Sequence, residues 1–526
     1  MPADAPLLKV TAVDLFEQPF KLRLPFRFGV ITVTEGVQAI VRLRLRLADG
    51  REALGYGAEA LGAKWFDKDP RWSDAQNLDQ LRKAVELCRD AYLASPPATA
   101  FDLHAGHCAQ QLAAGAALGL PPLVASYGPA LLDRAVLDAL CRQRGLSFAE
   151  AMRANLAGMR AHAIAPDLAG FDFGAFLRTL QPAASIAARH TVGLVDPIDA
   201  GDQPAGSRVD DGLPETLAEV VAAYGHRHFK LKVAGELDAD IDRLKRIAGV
   251  LDRIAEPVQI TLDGNEQYPD AAAALELWLR MQGTPALRRL CASTLFIEQP
   301  IKRQAALTQR IDPLAQHRPV IIDESDGDLD AFVRARALGY RGVSSKLCKG
   351  LYKSVVNAAR CRLWNAEPGS GGGYFMSAED LTTQAGVSVQ QDLALVSLLG
   401  IDHVERNAHH FIDGFGARPA AEADAFLQAH PDLYHCDGGR VRLRIREGRL
   451  AIGSLQGTGF GTAVTPDLAQ TPPMPTAAWP PAGMHAVARP SAGLSPAVPA
   501  PDDAPLAGRD GQPQAPATDT HPGRRR

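Results

Sequence analysis

The chain has 526 residues, 46% hydrophobic and 22% charged, and its 56 Lys and Arg against 60 Asp and Glu give a formal charge of -4. That length buries at least one large core and argues for more than one domain, while the lack of a basic excess excludes a phosphate-tracking nucleic-acid binder. No apolar run reaches the roughly 18 residues a membrane span needs, the N-terminus MPADAPLLKV has no basic region leading into an apolar one, and seven scattered cysteines without metal spacing read as reduced thiols, so a cytoplasmic, non-membrane enzyme is expected.

In chain order, the first ~60 residues alternate apolar and polar positions. In VRLRLRLADG, Val41, Leu43, Leu45 and Leu47 face one way and Arg42, Arg44 and Arg46 the other, which predicts an antiparallel strand followed by a turn at Asp49-Gly50. From Ser73 to about Leu180 the chain is Ala- and Leu-rich with helical spacing, as in Leu131, Val136 and Leu140. Residues 1–185 therefore read as an α+β domain with a helical segment. Residues 186–420 change to short β-branched runs alternating with amphipathic helices, one of which carries Ile241, Leu244, Ile247, Leu251 and Ile254 on one face. Strands are expected near 191–196, ending near 232, 263, 298, 323 and 346, around 374–377, and ending near Glu405. Parallel strands need such crossovers, and eight of them predict a (β/α)₈ barrel. Residues 421–464, with VRLRIREGRLAIG and LQGTGFGT, read as a segment returning to the N-terminal domain; residues 465–526 are Pro/Ala-rich and predict a disordered tail.

Five of the barrel runs end in ionisable side chains, acids between lysines: FKLKV with Lys230 and Lys232, ITLDGN with Asp263 and Asn265, LFIEQP with Glu298, VIIDES with Asp323 and Glu324, and GVSSKLCKG with Lys346. Residues two apart share a strand face, so Lys230 sides with Lys232 and Asp263 with Asn265. Strand C-termini form the active rim of such barrels. Carboxylates from three consecutive strands suit one hard cation with oxygen ligands, Mg²⁺. Asp263 and Glu298 supply two of them, and alternation admits only one of the adjacent Asp323 and Glu324 as the third. A proton next to a carboxylate is very weakly acidic, so its removal needs charge stabilisation, which a metal gives, and a base of tuned pKa. A lysine beside a second lysine and a cation is pushed toward its neutral form and serves as that base. Lys232 and Lys346 would then approach opposite faces of the α-carbon of a small carboxylate substrate, with Lys230 tuning its neighbour or meeting the substrate carboxylate.

These motifs, in this order, resemble the enolase superfamily, specifically its muconate lactonizing enzyme and mandelate racemase-like members. The likeness spans roughly residues 8–463. It implies a modified (β/α)₇β barrel under an α+β capping domain, Asp323 as the third ligand, and the superfamily's lysine base with Mg²⁺. It also implies specificity loops at 25–34 and at 62–68, the latter carrying Trp65, and a hydrogen-bonding role for Glu405 toward the enolate. Asn265, Glu324, Lys349 and Trp65 are expected to support these groups or touch substrate, and self-association into a homo-oligomer is expected.

Two departures narrow the reading. The eighth strand, HVERN, lacks the Asp-x-Asp that dipeptide epimerases resemble one another in, which disfavours a dipeptide; the seventh, YFMSAED, has no histidine at its end for a His-Asp dyad. Racemisation or epimerisation is the first expectation, with β-elimination (dehydratase or o-succinylbenzoate synthase-like) or cycloisomerisation as the second and a non-catalytic carboxylate-binding or scaffolding protein as the third. Plain structural roles compete at several positions. A K-x-K pair is commonly a solvated face, His226 and His228 precede the rim and read as surface or packing residues, an acid like Glu405 commonly caps a helix, Trp65 could merely anchor its loop, and GSGGG at 369–373 precedes a strand and reads as a flexible approach.

Overall fold

The computed structural model describes residues 5–369 and 371–481. The chain opens with a three-stranded antiparallel sheet, β1 (Leu8–Phe28), β2 (Ile31–Leu47) and β3 (Glu52–Ala60). Val41, Leu43, Leu45 and Leu47 are buried while Arg44 and Arg46 are exposed, as the alternation requires. The segment expected as a loop at 25–34 is the tip of the long β1–β2 hairpin, turning at Gly29-Val30. Three helices cover the sheet, α1 (Asp74–Ala94), α2 (Ala100–Ala117) and α3 (Tyr127–Arg144). Helix α3 lies so close to β3 that a Cβ on Gly55 would sit 2.0 Å from the Ala135 carbonyl oxygen, so glycine there is a packing requirement.

Eight parallel strands follow: β4 (Ser185–Val192), β5 (His228–Lys232), β6 (Gln259–Asp263), β7 (Thr294–Glu298), β8 (Val320–Ile322), β9 (Gly342–Ser345), β10 (Phe375–Ala378) and β11 (His403–Arg406). Each pairs with the next and β11 pairs with β4, closing the barrel. Phe229 and Leu231 enter the apolar layer beneath the helices, leaving Lys230 and Lys232 for the interior. The helix Leu237–Leu251 buries Ile241, Leu244, Ile247 and Leu251 as its periodicity predicts.

The first barrel strand lies earlier than the expected 191–196. Gly193 N–H donates to the Asp196 carboxylate at 2.7 Å, and this tight turn ends β4 at Val192. The C-terminal segment divides. In its VRLRIREGRLAIG stretch, Arg440–Leu443 pairs with Tyr434–Asp437, Ile445–Arg446 pairs with Arg449–Ala451, and the latter also runs antiparallel to β4; none joins the N-terminal sheet. Its glycine-rich close does reach the N-terminal domain, where Phe460 stacks on Phe148 with ring centroids 4.0 Å apart. Packed chain continues past 465. Glu17 N–H donates to the Pro472 carbonyl, Met474 N–H to that of Leu15, and buried Trp479 meets Trp72 edge-on while its indole N–H donates to Leu118. These contacts order 465–481, because the aromatic and apolar side chains find a place on the capping domain; the rest of the expected tail, 482–526, lies outside the described residues. No helix among the described residues is long and apolar enough to cross a membrane.

Candidate active site

Strand ends carry the ionisable side chains to the barrel mouth, and all are buried: Lys230, Lys232, Asp263, Asn265, Glu298, Asp323, Glu324, Lys346, Lys349 and Glu405. Lys230 is the hub. Its ammonium lies 2.9 Å from Asp263 Oδ2, 2.8 Å from Glu298 Oε2, 2.7 Å from Glu379 Oε2 and 3.0 Å from Glu405 Oε2. Lys232 donates to Asp263 Oδ2 at 2.6 Å and Lys346 to Asp323 Oδ2 at 2.7 Å. Lys349 donates to Ser344 Oγ at 2.7 Å and lies 3.0 Å from Asp326, while Ser344 Oγ hydrogen-bonds Asp323.

Asp323 and Glu324 both turn inward, contrary to strict alternation. β8 ends at Ile322, so neither residue is held to the pleat. Asp323 joins Lys346 and Lys349, whereas Glu324 accepts from Asn265 Nδ2 and from Lys68 Nζ, both at 3.2 Å, leaving its Oε2 without a hydrogen-bond partner. Trp65 is both wall and anchor. It is buried in the capping-domain core and its ring lies 4.2 Å from Lys346 Nζ, a cation–π contact. Glu405 also accepts from Thr191 Oγ1 at 2.5 Å, Asn407 Nδ2 at 3.0 Å and Asp380 N–H at 3.0 Å, so it is fixed as an acceptor rather than spent on a helix cap.

The electrostatics reverse one expectation. Burial alone would depress the Lys230 ammonium, but Asp263, Glu298, Glu379 and Glu405 carry its pKa well above the ordinary value. Burial likewise opposes the charge of Lys346, yet Asp323 beside it raises its pKa. With their carboxylates free, these lysines are held charged and are not pushed toward the neutral form. Burial, then the charges of Asp263 and Glu379, push Glu298 well above the usual carboxylate range. Glu405 goes the other way: burial is outweighed by Lys230, Lys232 and Lys346.

Asp263, Glu298 and Asp323 offer hard oxygen donors, and the upward pressure on Glu298 marks a place where further positive charge is favourable, so the donor chemistry fits Mg²⁺. They are not drawn tightly together, however: the Lys230 ammonium lies between Asp263 and Glu298, and among the described residues the group of three His, Cys, Asp or Glu side chains with ligand atoms mutually within 4.8 Å is His190, His226 and His409.

Above the acids lies a cavity of about 310 Å³ between barrel and capping domain. Lys230, Lys232, Lys346, Asn265, Glu405 and Asn407 form its floor, and Phe20, Leu22, Phe26, Ile31, Val33 and Trp65 contribute apolar walls. Both capping segments expected to shape specificity therefore border it.

Residues 213–467 match the family model described as enolase C-terminal domain-like. That stretch, which carries all but the first barrel strand, belongs to the enolase C-terminal domain-like family. The chain's fold is shared with the muconate lactonizing enzyme from Mycobacterium smegmatis (17% identity, TM-score 0.56, covering 88% of this chain and 99% of that one). It is also shared with a dipeptide epimerase from Enterococcus faecalis V583 (15%, 0.54, 86% and 99%) and with 2-chloromuconate cycloisomerase from Rhodococcus opacus 1CP (16%, 0.53, 87% and 97%). No curated protein matches the sequence.

In this barrel, several site residues escape sequence reasoning. Glu379 follows β10 directly and joins the Lys230 hub, held from behind by Arg189 Nη2 and by Ser377 Oγ, the latter at 2.5 Å. Its signal is the Glu-Asp pair closing YFMSAED, of which Glu379 is the first; Arg189 gives none, since it precedes the expected first strand. Arg303 ties the mouth to the cap, donating to the carbonyls of Phe66 and Trp65 at 2.7 and 2.8 Å and to both carboxylate oxygens of Glu266 at 2.8 Å.

Proposed function

We propose that this chain is a Mg²⁺-dependent enzyme that removes the α-proton of a small carboxylate through an enediolate, with racemisation or epimerisation as its reaction. The observation that carries this reading is the placement of Lys232 at the end of β5 and Lys346 directly after β9, both on the floor of one cavity and each bonded to a different acid. Asp263, Glu298 and Asp323 would hold the ion. When bound, it would stabilise the negative charge that develops on the substrate carboxylate.

An ion held by Asp323 would draw that carboxylate's charge away from Lys346, which would bring its amine closer to the range where it can take and return a proton. Lys232 is held in place by its hydrogen bond to Asp263. One lysine removes the α-proton and the other, charged, returns one to the opposite face. Glu405, fixed by Thr191 and Asn407, keeps Lys230 charged beside the developing enediolate. The apolar walls expel water, which strengthens these charge interactions, and favour a substrate with an apolar group beyond its carboxylate.

Cycloisomerisation is the second reading, favoured by the neighbour complexed with muconolactone; there one lysine acts as base and the other only stabilises charge. Incubating the protein with Mg²⁺ and a panel of small carboxylates in D₂O separates them. Inversion with α-deuteration supports the racemase. An unsaturated or cyclised product without either supports the second reading, and no turnover across the panel while each acid binds supports a carboxylate-binding protein. A cytoplasmic setting and a homo-oligomer complete the proposal; the seven cysteines are all free thiols, in keeping with a reducing compartment.

A further inference from the structure

We propose that His190, His226 and His409 form a second metal site, built from nitrogen donors and suited to a transition ion such as Zn²⁺, on the outside of the barrel where β11 closes against β4. The three histidines come from separate pieces of chain. His190 is on β4, between the inward-facing Arg189 and Thr191, so its ring faces outward. His226 lies between the helix Leu217–Tyr224 and β5, and His409 lies in the turn Ala408–Phe411 that leaves β11. All three are at least nine-tenths buried, and one ligand atom from each lies within 4.8 Å of the others.

Their hydrogen bonding points to a missing partner. His226 Nδ1 is 2.9 Å from the Ala188 carbonyl, an acceptor only, so Nδ1 carries the proton and Nε2 the lone pair. Backbone carbonyls orient metal-binding histidines in this way. His226 Nε2, His190 Nδ1 and both nitrogens of His409 are buried with no hydrogen-bond partner. Buried polar atoms are almost always paired, and three rings with orphaned nitrogens, brought together so that one ligand atom of each lies within 4.8 Å of the others, call for a ligand that accepts lone pairs. Imidazole suits Zn²⁺ and its neighbours, whereas Mg²⁺ selects oxygen. This cluster and the acidic mouth would therefore take different ions.

Three protein ligands leave the fourth tetrahedral position of zinc open. A cavity of about 180 Å³ bordered by Tyr224, Ala408 and His409 reaches the cluster from the His409 side and offers a route for the ion. Bound at this point, the ion would pin three segments across the barrel's closing seam, two residues beyond Asn407 of the active-site floor.

The full chain, stripped with a chelator and then given Zn²⁺, tests this by anomalous scattering at the zinc edge from its crystals. The expected result is a zinc peak bonded to the three histidine nitrogens. In solution, Co²⁺ should give the visible absorption of a tetrahedral nitrogen-ligated ion, and His226→Gln and His409→Gln should each abolish it while the proton-transfer response to Mg²⁺ persists. Zinc found only at the barrel mouth, no peak at the histidines, or a cobalt spectrum unchanged in folded variants would each overturn the proposal. The wild-type scattering experiment decides the matter even if a variant fails to fold.

Discussion

Lys346 donates to Asp323 Oδ2 at 2.7 Å, so the base expected to take the substrate proton is bonded to the acid expected to hold the metal. The pair cannot serve both purposes in one state. Asp323 raises the pKa of Lys346, and Lys346, with Lys349, overcomes burial to hold Asp323 well below the carboxylate range. Loading of the ion and readiness of the base are therefore linked through one carboxylate.

Metal binding should release protons. Burial and the neighbouring anions hold Glu298 above its ordinary pKa, so the metal-free protein keeps a proton there at pH values where a free glutamate would be ionised. Ligation requires the ionised form, so raising the pH must tighten Mg²⁺. Calorimetry in buffers of different ionisation enthalpy should report proton release and an affinity that climbs with pH; an affinity independent of pH across the acid and neutral range would refute the charge arrangement described for the mouth.

Trp65 connects specificity segment and base. Trp65→Phe keeps an aromatic face over Lys346 and should retain most activity. Trp65→Ala removes both the cation–π contact, worth about 0.5–2 kcal/mol, and buried volume, at a cost of about 3–5 kcal/mol of stability. Denaturant unfolding and steady-state kinetics on the two variants check this, with the alanine variant alone expected to lose substantially in both.

Arg303→Ala should loosen the 62–68 segment. The guanidinium bridges Glu266 to the carbonyls of Trp65 and Phe66, and Glu266 holds a positive φ of 71° to reach it. Removing one partner of a buried ion pair costs about 3 kcal/mol, the lower end because Arg303 keeps some exposure. KM should rise more than kcat falls, and Arg303→Lys should restore only part, since an ammonium cannot bridge two carboxylate oxygens as a fork does.

What the sequence makes legible here is the strand-end chemistry. Lys230, Lys232, Asp263, Glu298, Asp323, Lys346 and Glu405 each end an apolar run short enough to be a barrel strand, and polarity at such a point stands out. Long-range partners leave no such mark. Arg303 and Glu266 are ordinary loop charges until the fold sets them beside Trp65, and Arg189 precedes the expected 191–196 strand because the actual strand starts at Ser185 and is ended by the Gly193–Asp196 turn. The lysine two residues along is visible in the sequence, but the convergence of Asp263, Glu298, Glu379 and Glu405 on Lys230, which holds it charged, exists only in the fold. Residues 465–481 look like solvated Pro/Ala chain, yet Trp479 finds a slot against Trp72, a contact no local pattern announces.

Opposed lysines are the central claim, and α-proton exchange in D₂O with Lys232→Ala and Lys346→Ala measures it most directly. Each variant should lose about 10²–10⁴-fold in racemisation, and each should still exchange the α-proton of one enantiomer, the two variants acting on opposite ones. If both variants exchange the same enantiomer, or if Lys346→Ala keeps full activity, the two lysines do not face each other across the substrate and the proposed mechanism is contradicted.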